Sequence, residues 1–170
     1  MLLSIIIVHY RTPELLKLCL DRVREHLEGI EYEIKVIDNS IINRGFAKGV
    51  NDGLRQTSGT YRLILNPDTL ITPNSVQAMI AYMDAHDDIG ILGPRLRYFN
   101  GNHQQSYRRY YRLTTILARR TPLGRLPYFK NIIADFMMDD VDPRKIQTPD
   151  WLLGAALLVR ASAFEKVGLM

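Results

Sequence analysis

Apolar positions in the first half of the chain recur with two periods, one typical of buried strands and one typical of amphipathic helices. The run over residues 2–8 is largely apolar and β-branched, which favours a buried parallel strand. Thr12 and Pro13 then supply an N-cap and a first helical position, and Gly29 ends the helical spacing that follows. The same patterns predict strands over residues 32–37, 61–65 and 89–92, and helices over residues 46–56 and from Thr72-Pro73 onward.

Strands that alternate with helices predict βαβ units, and therefore an α/β fold with a mostly parallel sheet flanked by helices. In such sheets ligands bind beyond the carboxyl ends of the strands. Three predicted strand ends carry polar residues that we expect to converge: His9-Tyr10-Arg11, Asp38-Asn39 and Asn66-Pro67-Asp68. This convergence argues for a ligand site more strongly than any one of the motifs does.

The pattern changes after Leu92. Residues 97–107 predict a hairpin around an Asn100-Gly101 turn. Residues 108–142 have a periodicity too weak to predict any element. A strand is predicted over residues 151–159 and a short helix over residues 161–167.

Length and composition indicate one soluble globular domain, since 170 residues with 46% hydrophobic and 24% charged residues are ordinary values. The longest apolar run, residues 152–159, is far shorter than the roughly 18 residues of a membrane span. No basic segment precedes an apolar stretch at the start, so we expect no signal peptide. The single cysteine, Cys19, excludes an internal disulfide and a cysteine zinc site. We expect a cytosolic protein.

The net charge of +4 conceals a strong asymmetry, because residues 89–134 contain nine Lys and Arg but no Asp or Glu. A solvated flexible face is one explanation. A surface for anionic lipid head groups or a lipid-linked phosphate is another, with Arg108, Arg109 and Arg112 as the contacting residues. Cations among tyrosines also suit nucleic acid, but no known nucleic-acid module surrounds them, and we expect no nucleic-acid partner.

Two carboxylates at strand ends are the candidate ligand-binding acids. Asp38 either accepts a hydrogen bond from a ribose hydroxyl or a base N–H, or serves as a turn or helix-cap carboxylate. Asp68 could hold a divalent cation that also touches a diphosphate. Asn66, Pro67 and Asp68 are also common turn formers, and taken alone the tripeptide favours a turn.

Residues 43–45 precede a predicted helix and could present backbone N–H groups or Arg44 to an anion. They form neither a P-loop nor a dinucleotide fingerprint, because G-x-x-x-x-G-K-[ST] and G-x-G-x-x-G are both absent. The four histidines lack metal-ligand spacing, and only His9 stands at a candidate site. The absence of G-x-S-x-G argues against an α/β-hydrolase.

Several segments, taken in chain order, resemble motifs of family 2 glycosyltransferases. They are SIIIVHY at 4–10, VIDNS at 36–40, NRGFAKGVN at 43–51, LNPDT at 65–69, DWLLGA at 150–155, VR at 159–160 and FEKVG at 164–168. The LNPD segment resembles the form of the D-x-D motif that is common in rhamnosyltransferase-like members. Each segment alone is a weak match to the family, but the set in this order is specific for the family and covers most of the chain.

The resemblance implies a GT-A fold, a Rossmann-like sheet flanked by helices. It implies inverting transfer of one sugar, with rhamnose as the candidate, from a nucleotide-diphosphate sugar to a polysaccharide or lipid-linked glycan. Residues 1–95 would bind the nucleotide sugar and residues 96–170 would face the acceptor, with the basic segment at 95–130. The protein would be cytoplasmic and peripheral at the inner face of the plasma membrane.

The resemblance also implies roles for individual residues. Asp38 would contact the base or ribose, Tyr10 would wall the base pocket, and Asp68 would reach Mg²⁺ or Mn²⁺ on the diphosphate. The other donor-side candidates are Asn43, Gly45 and Asn66. Trp151 and Gly154 would line the sugar and acceptor pocket.

The chain departs from the family pattern in two places. A further helix and strand usually separate the D-N-x-S and N-x-G-F motifs, but here Ser40 and Asn43 are nearly adjacent. Either this protein lacks that unit or a mobile segment is absent from the sequence, and the loop-rich nucleotide site of the family favours the second explanation. The Glu-Asp motif that holds the general base is also missing, so we expect a GT-A domain that is incomplete at its C-terminus.

Two other classes of function remain open. A chain without an assignable general base could be a nucleotide-sugar-binding fragment or a pseudoenzyme. A nucleotidyltransferase shares a similar sheet but is disfavoured, because His9-Tyr10-Arg11 stands where its Gly-rich basic loop would lie.

Overall fold

A computed structural model describes residues 2–170, which fall into two compact units. The described part of the first unit comprises residues 2–94 and Gly154–Met170, and the second unit is Arg95–Leu153. No helix over residues 2–170 has the length and apolar character needed to cross a bilayer.

The first unit contains five strands and four helices in the described residues. Its strands are β1 (Leu3–His9), β2 (Tyr32–Asp38), β3 (Tyr61–Leu65), β4 (Ile91–Leu92) and, late in the chain, β9 (Ala156–Arg160). Its helices are α1 (Pro13–His26), α2 (Phe46–Leu54), α3 (Ser75–Asp84) and α6 (Ala161–Val167).

One sheet organises this unit, in the strand order β2-β1-β3-β9-β4. β1 pairs in parallel with both β2 and β3, whereas β9 runs antiparallel to both β3 and β4. Four strands therefore point one way and β9 points the other. The predicted α/β fold with a mostly parallel sheet is confirmed, and the carboxyl ends of β1, β2 and β3 meet at one edge.

Helices cover both faces of the sheet, following the period of two along β1. Leu3, Ile5 and Ile7 belong to a fully buried cluster with apolar residues of α1 and α3. The opposite face of β1 receives α2, whose Gly49 and Gly53 lie against Val8 and Ile6. A methyl group at Gly53 would lie 2.5 Å from Ile6 Cγ2, so only glycine permits this close approach.

Arg160, at the end of β9, ties the sheet to the segment that follows α3. Its guanidinium donates to the carbonyl oxygens of Met83 (2.6 Å), His86 (3.2 Å) and Ile89 (3.2 Å), and to the hydroxyl of Tyr61 (3.2 Å). These carbonyls lie at or beyond the last turn of α3, where a helix leaves acceptors without donors four residues on, and the carbonyls of Met83 and His86 also accept from His86 N and Ile89 N. One side chain therefore satisfies several backbone groups.

The second unit contains short strands and two helices. Its strands are β5 (Leu96–Arg97), β6 (His103–Gln104), β7 (Tyr107–Arg108) and β8 (Trp151–Leu152). Its helices are α4 (Leu113–Arg120) and α5 (Pro127–Met137), with a short 3-10 helix, Pro122–Arg125, between them. β5 and β6 form the predicted hairpin, in which Gly101 has the positive φ of 84° that the turn requires. β7 pairs with β8.

Three predicted boundaries are wrong. The run over 151–159 supplies two strands of different sheets, β8 and β9, because the chain passes from the second unit to the first at Gly154. α3 begins at Ser75 rather than near Pro73, since Asn74 has a left-handed φ of 60° and Ser75 Oγ donates to the Thr72 carbonyl. Strand β4 has only two residues, because a turn in which Ile89 N donates to the His86 carbonyl follows α3.

Candidate functional site

The ends of β1 and β2 lie side by side at the carboxyl edge of the sheet. His9 is the register partner of Asp38, and Asn39 N donates to the His9 carbonyl at 2.9 Å. His9 Nε2 lies 3.4 Å from Asp38 Oδ1. The backbone ladder therefore brings together two of the three predicted strand-end motifs.

The Asp38 carboxylate is exposed and stabilised in its charged form. Its Oδ1 accepts a hydrogen bond from Ser40 N at 2.7 Å. Hydrogen bonding by Ser40, and to a lesser extent the nearby His9, lowers the pKa of Asp38 below its usual 3.8. About half of the side chain is open to solvent. Asp38 is therefore an anionic acceptor with free lone pairs at neutral pH.

Tyr10 and Arg11 form an exposed pair beside this carboxylate. The Arg11 guanidinium lies 5.1 Å from the centre of the Tyr10 ring, within cation–π range. Arg11 has a left-handed φ of 55°, and its N–H donates to Ser40 Oγ at 3.0 Å. Tyr10 is 44% exposed, so one aromatic surface remains available to a ligand.

Residues 39–45 connect β2 directly to α2. Asn39 Nδ2 donates to the Gly45 carbonyl at 3.2 Å, and Gly45 N donates to Asn43 Oδ1 at 2.9 Å. Gly45 has a positive φ of 85°, which favours glycine. The buried Asn39 thus holds Asn43 and Gly45 at the start of α2, next to the end of β2.

The segment after β3 places Asp68 at the same edge of the sheet. Asn66 N donates to the Ala155 carbonyl at 2.9 Å, and Thr69 N donates to the Asn66 carbonyl at 3.1 Å, which closes a turn. Asp68 is exposed, and among the described residues its carboxylate accepts only one long hydrogen bond, from Thr69 Oγ1 at 3.5 Å. Burial, and then the charge of Asp68, raises the pKa of the Cys19 thiol to about 11.

The donor set at Asp68 fits a cation that is held mainly by its ligand. Over residues 2–170 no group of three or more His, Cys, Asp or Glu side chains could hold a metal alone. Mg²⁺ typically takes one or two carboxylates and completes its octahedron with substrate phosphates and water. One open carboxylate therefore suits Mg²⁺ or Mn²⁺ on a diphosphate and does not suit a resident structural metal.

Trp151 and Gly154 fall in different units. Trp151, in β8 of the second unit, lies 5.0 Å from the Arg108 guanidinium, and its buried Nε1 has no hydrogen-bond partner among the described residues. Gly154 belongs to the first unit, where a methyl group would meet only Phe46, at 3.9 Å. Each therefore keeps its predicted role as a separate hypothesis.

Two of the three predicted lipid-contacting arginines are engaged inside the second unit. The Arg109 guanidinium donates to both carboxylate oxygens of Asp140, at 2.9 and 3.0 Å, and to Asp135. Arg108 lies over the Trp151 and Phe136 rings. Arg112 is exposed and has no ion pair in the described chain. Arg112 is thus the member of the trio that is free to meet an external anion.

Sequence reasoning missed the roles of Ser40 and Asn39, and it placed His9 at a candidate site without giving it a role. Ser40, and to a lesser extent His9, lower the pKa of Asp38, and Asn39 positions Gly45. A short polar residue two positions after an Asp at a strand end is the signal that could have identified Ser40.

The fold and the clustered strand ends define an α/β protein whose candidate ligand site lies at the carboxyl edge of a mostly parallel sheet. The sequence model of Glycosyl transferase family 2 matches residues 40–137, which is more than half of the chain. The chain belongs to Glycosyl transferase family 2. No curated protein sequence matches it significantly.

Solved structures share the GT-A glycosyltransferase fold at low sequence identity. S. aureus TarS 1-349 aligns with a TM-score of 0.58 and 15% identity, over 98% of this chain and 49% of that chain. Its complex with UDP-GlcNAc aligns with a TM-score of 0.53 and 20% identity, over 63% of this chain and 38% of that chain. The mannosyltransferase PcManGT from Pyrobaculum calidifontis, in complex with GDP-Man and Mn²⁺, aligns with a TM-score of 0.59 and 14% identity, over 98% and 46%. The chain thus spans less than half of the length of these structures.

Proposed function

We propose that the chain binds a nucleotide-diphosphate sugar at the carboxyl edge of its sheet and contributes to inverting transfer of the sugar to a glycan or lipid-linked acceptor. The observation that carries this proposal is the placement of Asp38 and Asp68. Both carboxylates are exposed, with Asp38 as the last residue of β2 and Asp68 beyond the end of β3, and these two strands flank β1. The complexes of TarS with UDP-GlcNAc and of PcManGT with GDP-Man support a donor of this class.

The nucleoside would lie against Asp38 and Tyr10. Asp38 is an ionised acceptor with unused lone pairs, which suits a ribose hydroxyl or a base N–H. Tyr10 offers an exposed ring face on which a base could stack, at a gain of about 1–3 kcal/mol by analogy with base stacking on aromatic residues. Asn43, Gly45 and Asn66 border the same edge and are the further donor-binding candidates.

Asp68 would hold a divalent cation through its open carboxylate. When bound, such a cation supplies Lewis-acid stabilisation of the charge that develops on the departing nucleoside diphosphate. The Mn²⁺ in the PcManGT complex supports this assignment. Asp68 itself would add a negative charge beside the diphosphate, so donor binding should depend on the cation.

The finer parts of the proposal concern specificity and location. Rhamnose as the transferred sugar rests on the LNPD form of the motif around Asp68. A polysaccharide or lipid-linked acceptor in the cytoplasm, at the inner face of the plasma membrane, would place the basic segment of the second unit against anionic lipid. Arg112 supports that contact best, because Arg108 and Arg109 are engaged internally.

A thermal-shift titration tests donor binding. The full chain is titrated with dTDP, UDP, GDP and NAD, each with and without Mn²⁺. A ligand at 100 times its Kd should stabilise the fold by about 2.7 kcal/mol. We expect one nucleoside diphosphate to raise the Tm in a Mn²⁺-dependent manner, whereas NAD should not. A rise in Tm with NAD alone would contradict the proposal. The absence of a rise in Tm with every nucleotide tested would contradict it as well.

A transfer assay separates the enzyme from a binding module. The nucleotide that binds is supplied as its sugar conjugate together with a lipid-linked glycan extract, and the release of nucleoside diphosphate is measured. Release that depends on the acceptor supports transfer. Binding of the sugar nucleotide without such release would identify a nucleotide-sugar-binding module instead.

A further inference from the structure

The second unit contains a shallow basic cavity, widely open to solvent, formed by the end of α4, the 3-10 helix and the middle of α5. Its volume is about 600 Å³, which is enough for a phosphate group and part of what the phosphate carries. Arg119, Arg120 and Arg125 line it, together with small or apolar residues, and no acidic side chain does. We refer to it as the arginine cavity.

The guanidinium groups of the arginine cavity lack internal partners of opposite charge. No ion pair is formed by Arg119, Arg120 or Arg125 within the part of the chain that the structure describes, and all three side chains are exposed. Arg109, in the same unit, shows the contrast, because Asp135 and Asp140 neutralise it. The unit therefore pairs one arginine and leaves a group of three unneutralised around a concave surface.

The cavity is held in shape by its own backbone. Thr121 Oγ1 donates to the Leu117 carbonyl and accepts from Leu123 N, which fixes the turn from α4 into the 3-10 helix. A methyl group at Gly124 would overlap the Ala118 carbonyl oxygen, so glycine is required where the 3-10 helix crosses α4. The geometry that brings Arg120 and Arg125 to one cavity is thus built into the local sequence.

Stabilisation of the helix end accounts for only part of this charge. The carboxyl end of an α-helix carries about half a negative charge, which cations in the last turn of α4 would offset. Arg119 and Arg120 lie in that turn, but Arg125 lies beyond it. Three full positive charges exceed what the helix end requires. Arg119 is anchored by Tyr111 and lies over the Phe136 ring, while Arg120 and Arg125 have no comparable anchor.

We propose that the arginine cavity binds a phosphate group carried by the acceptor. A guanidinium matches phosphate oxygens with two parallel hydrogen bonds, and several guanidinium groups around one cavity suit a phosphate monoester or diphosphate. The inference that the phosphate belongs to the acceptor rests on the proposed function, whereas the binding of a phosphate group does not depend on it. The phosphate could belong to a lipid head group or to a soluble phosphorylated glycan.

The test measures phosphate binding by the full chain in two arms. In the first, inorganic diphosphate is titrated calorimetrically in the presence of EDTA, so that no cation bridges it to the donor site. In the second, the chain is sedimented with phosphatidylcholine vesicles that contain or lack phosphatidic acid. Binding in the first arm indicates a soluble phosphate group, and binding in the second arm alone indicates a lipid head group.

Paired variants separate the cavity from the general positive charge of the chain. R120Q/R125Q removes two cavity arginines whose side chains make no hydrogen bond or ring contact in the described structure, so the fold should survive. R144Q/K145Q removes the same charge from exposed residues of the same unit outside the cavity. Each charge-assisted interaction is worth roughly tenfold in affinity or more, so R120Q/R125Q should weaken binding at least about tenfold. R144Q/K145Q should change it little.

If R120Q/R125Q loses binding and R144Q/K145Q retains it, in either arm of the test, the result supports phosphate binding by the arginine cavity. An equal loss in both variants would overturn the proposal, because it would show only nonspecific attraction. Absence of binding in both arms would overturn it as well. The Mn²⁺-dependent part of nucleoside diphosphate binding by R120Q/R125Q should equal that of the wild-type chain, so failure of the cavity and failure of the donor site can be told apart.

Discussion

Because α2 packs closely against β1 at Gly53, we expect Gly53→Ala to lower the free energy of unfolding. The Gly53→Ala methyl group would lie 2.5 Å from Ile6 Cγ2, and Ile6 is fully buried in β1. Overpacking of this kind costs about 1–3 kcal/mol, and the tight distance places Gly53→Ala near the upper end. Alanine gains back about 1 kcal/mol in helix propensity. The net expectation is a loss of about 2 kcal/mol in the free energy of unfolding.

Urea denaturation followed by circular dichroism measures this loss. The effect of Gly53→Ala on the free energy of unfolding should also change sign when Ile6 is truncated. Ile6→Ala removes the clashing Cγ2 atom, so Gly53→Ala introduced into Ile6→Ala should stabilise by up to about 1 kcal/mol relative to Ile6→Ala alone. Gly90→Ala serves as the control, because its methyl group would come no closer than 3.4 Å to Ala163. If Gly53→Ala had the same effect in both backgrounds, the steric argument would be refuted.

Other predictions follow from single side chains. Arg160→Met removes the charged hydrogen bonds to the carbonyls of Met83, His86 and Ile89 and to the Tyr61 hydroxyl, so the free energy of unfolding should fall by about 2–3 kcal/mol in a urea titration, and a change below about 0.5 kcal/mol would be inconsistent with this role. Because the folded-state pKa of Asp38 lies below 3.8, its ionised form adds stability above that pH and loses it as the pH falls through the folded-state pKa; the Tm difference between wild type and Asp38→Asn should therefore shrink in acid. With a pKa of about 11, the buried Cys19 thiol should not react with DTNB at neutral pH until denaturant is added, and fast labelling of the folded chain would contradict its placement.

The sequence pattern predicted the first unit well because each element there has one dominant signal. The apolar run of β1, the Thr12-Pro13 start of α1 and the polar strand ends are local features. The elements that were missed depend on distant contacts. β9 inserts antiparallel between β3 and β4, a pairing that periodicity cannot reveal. α4 and α5 were not predicted because few of their residues are buried and their apolar stripes are weak.

The candidate site was predictable as a set of strand ends but not in its internal contacts. Parallel strands must bring His9 and Asp38 together, and the register shows that they are direct neighbours. The hydrogen bond that Ser40 Oγ accepts from Arg11 N is made by a residue with left-handed backbone, which the residue types of this segment do not predict. Charge counts identified the basic segment, but only the structure separates the paired Arg109 from the open Arg120 and Arg125.

The most direct test of the donor site is calorimetric titration of the preferred nucleoside diphosphate into the wild type, Asp38→Asn and Asp68→Asn, with and without Mn²⁺. Asp88→Asn is the matched control, since Asp88 is exposed and makes no ion pair in the described chain. The account predicts that Asp38→Asn weakens binding under both conditions. Asp68→Asn should remove only the part that depends on Mn²⁺, and Asp88→Asn should change neither. Equal affinity in all four proteins would contradict the account.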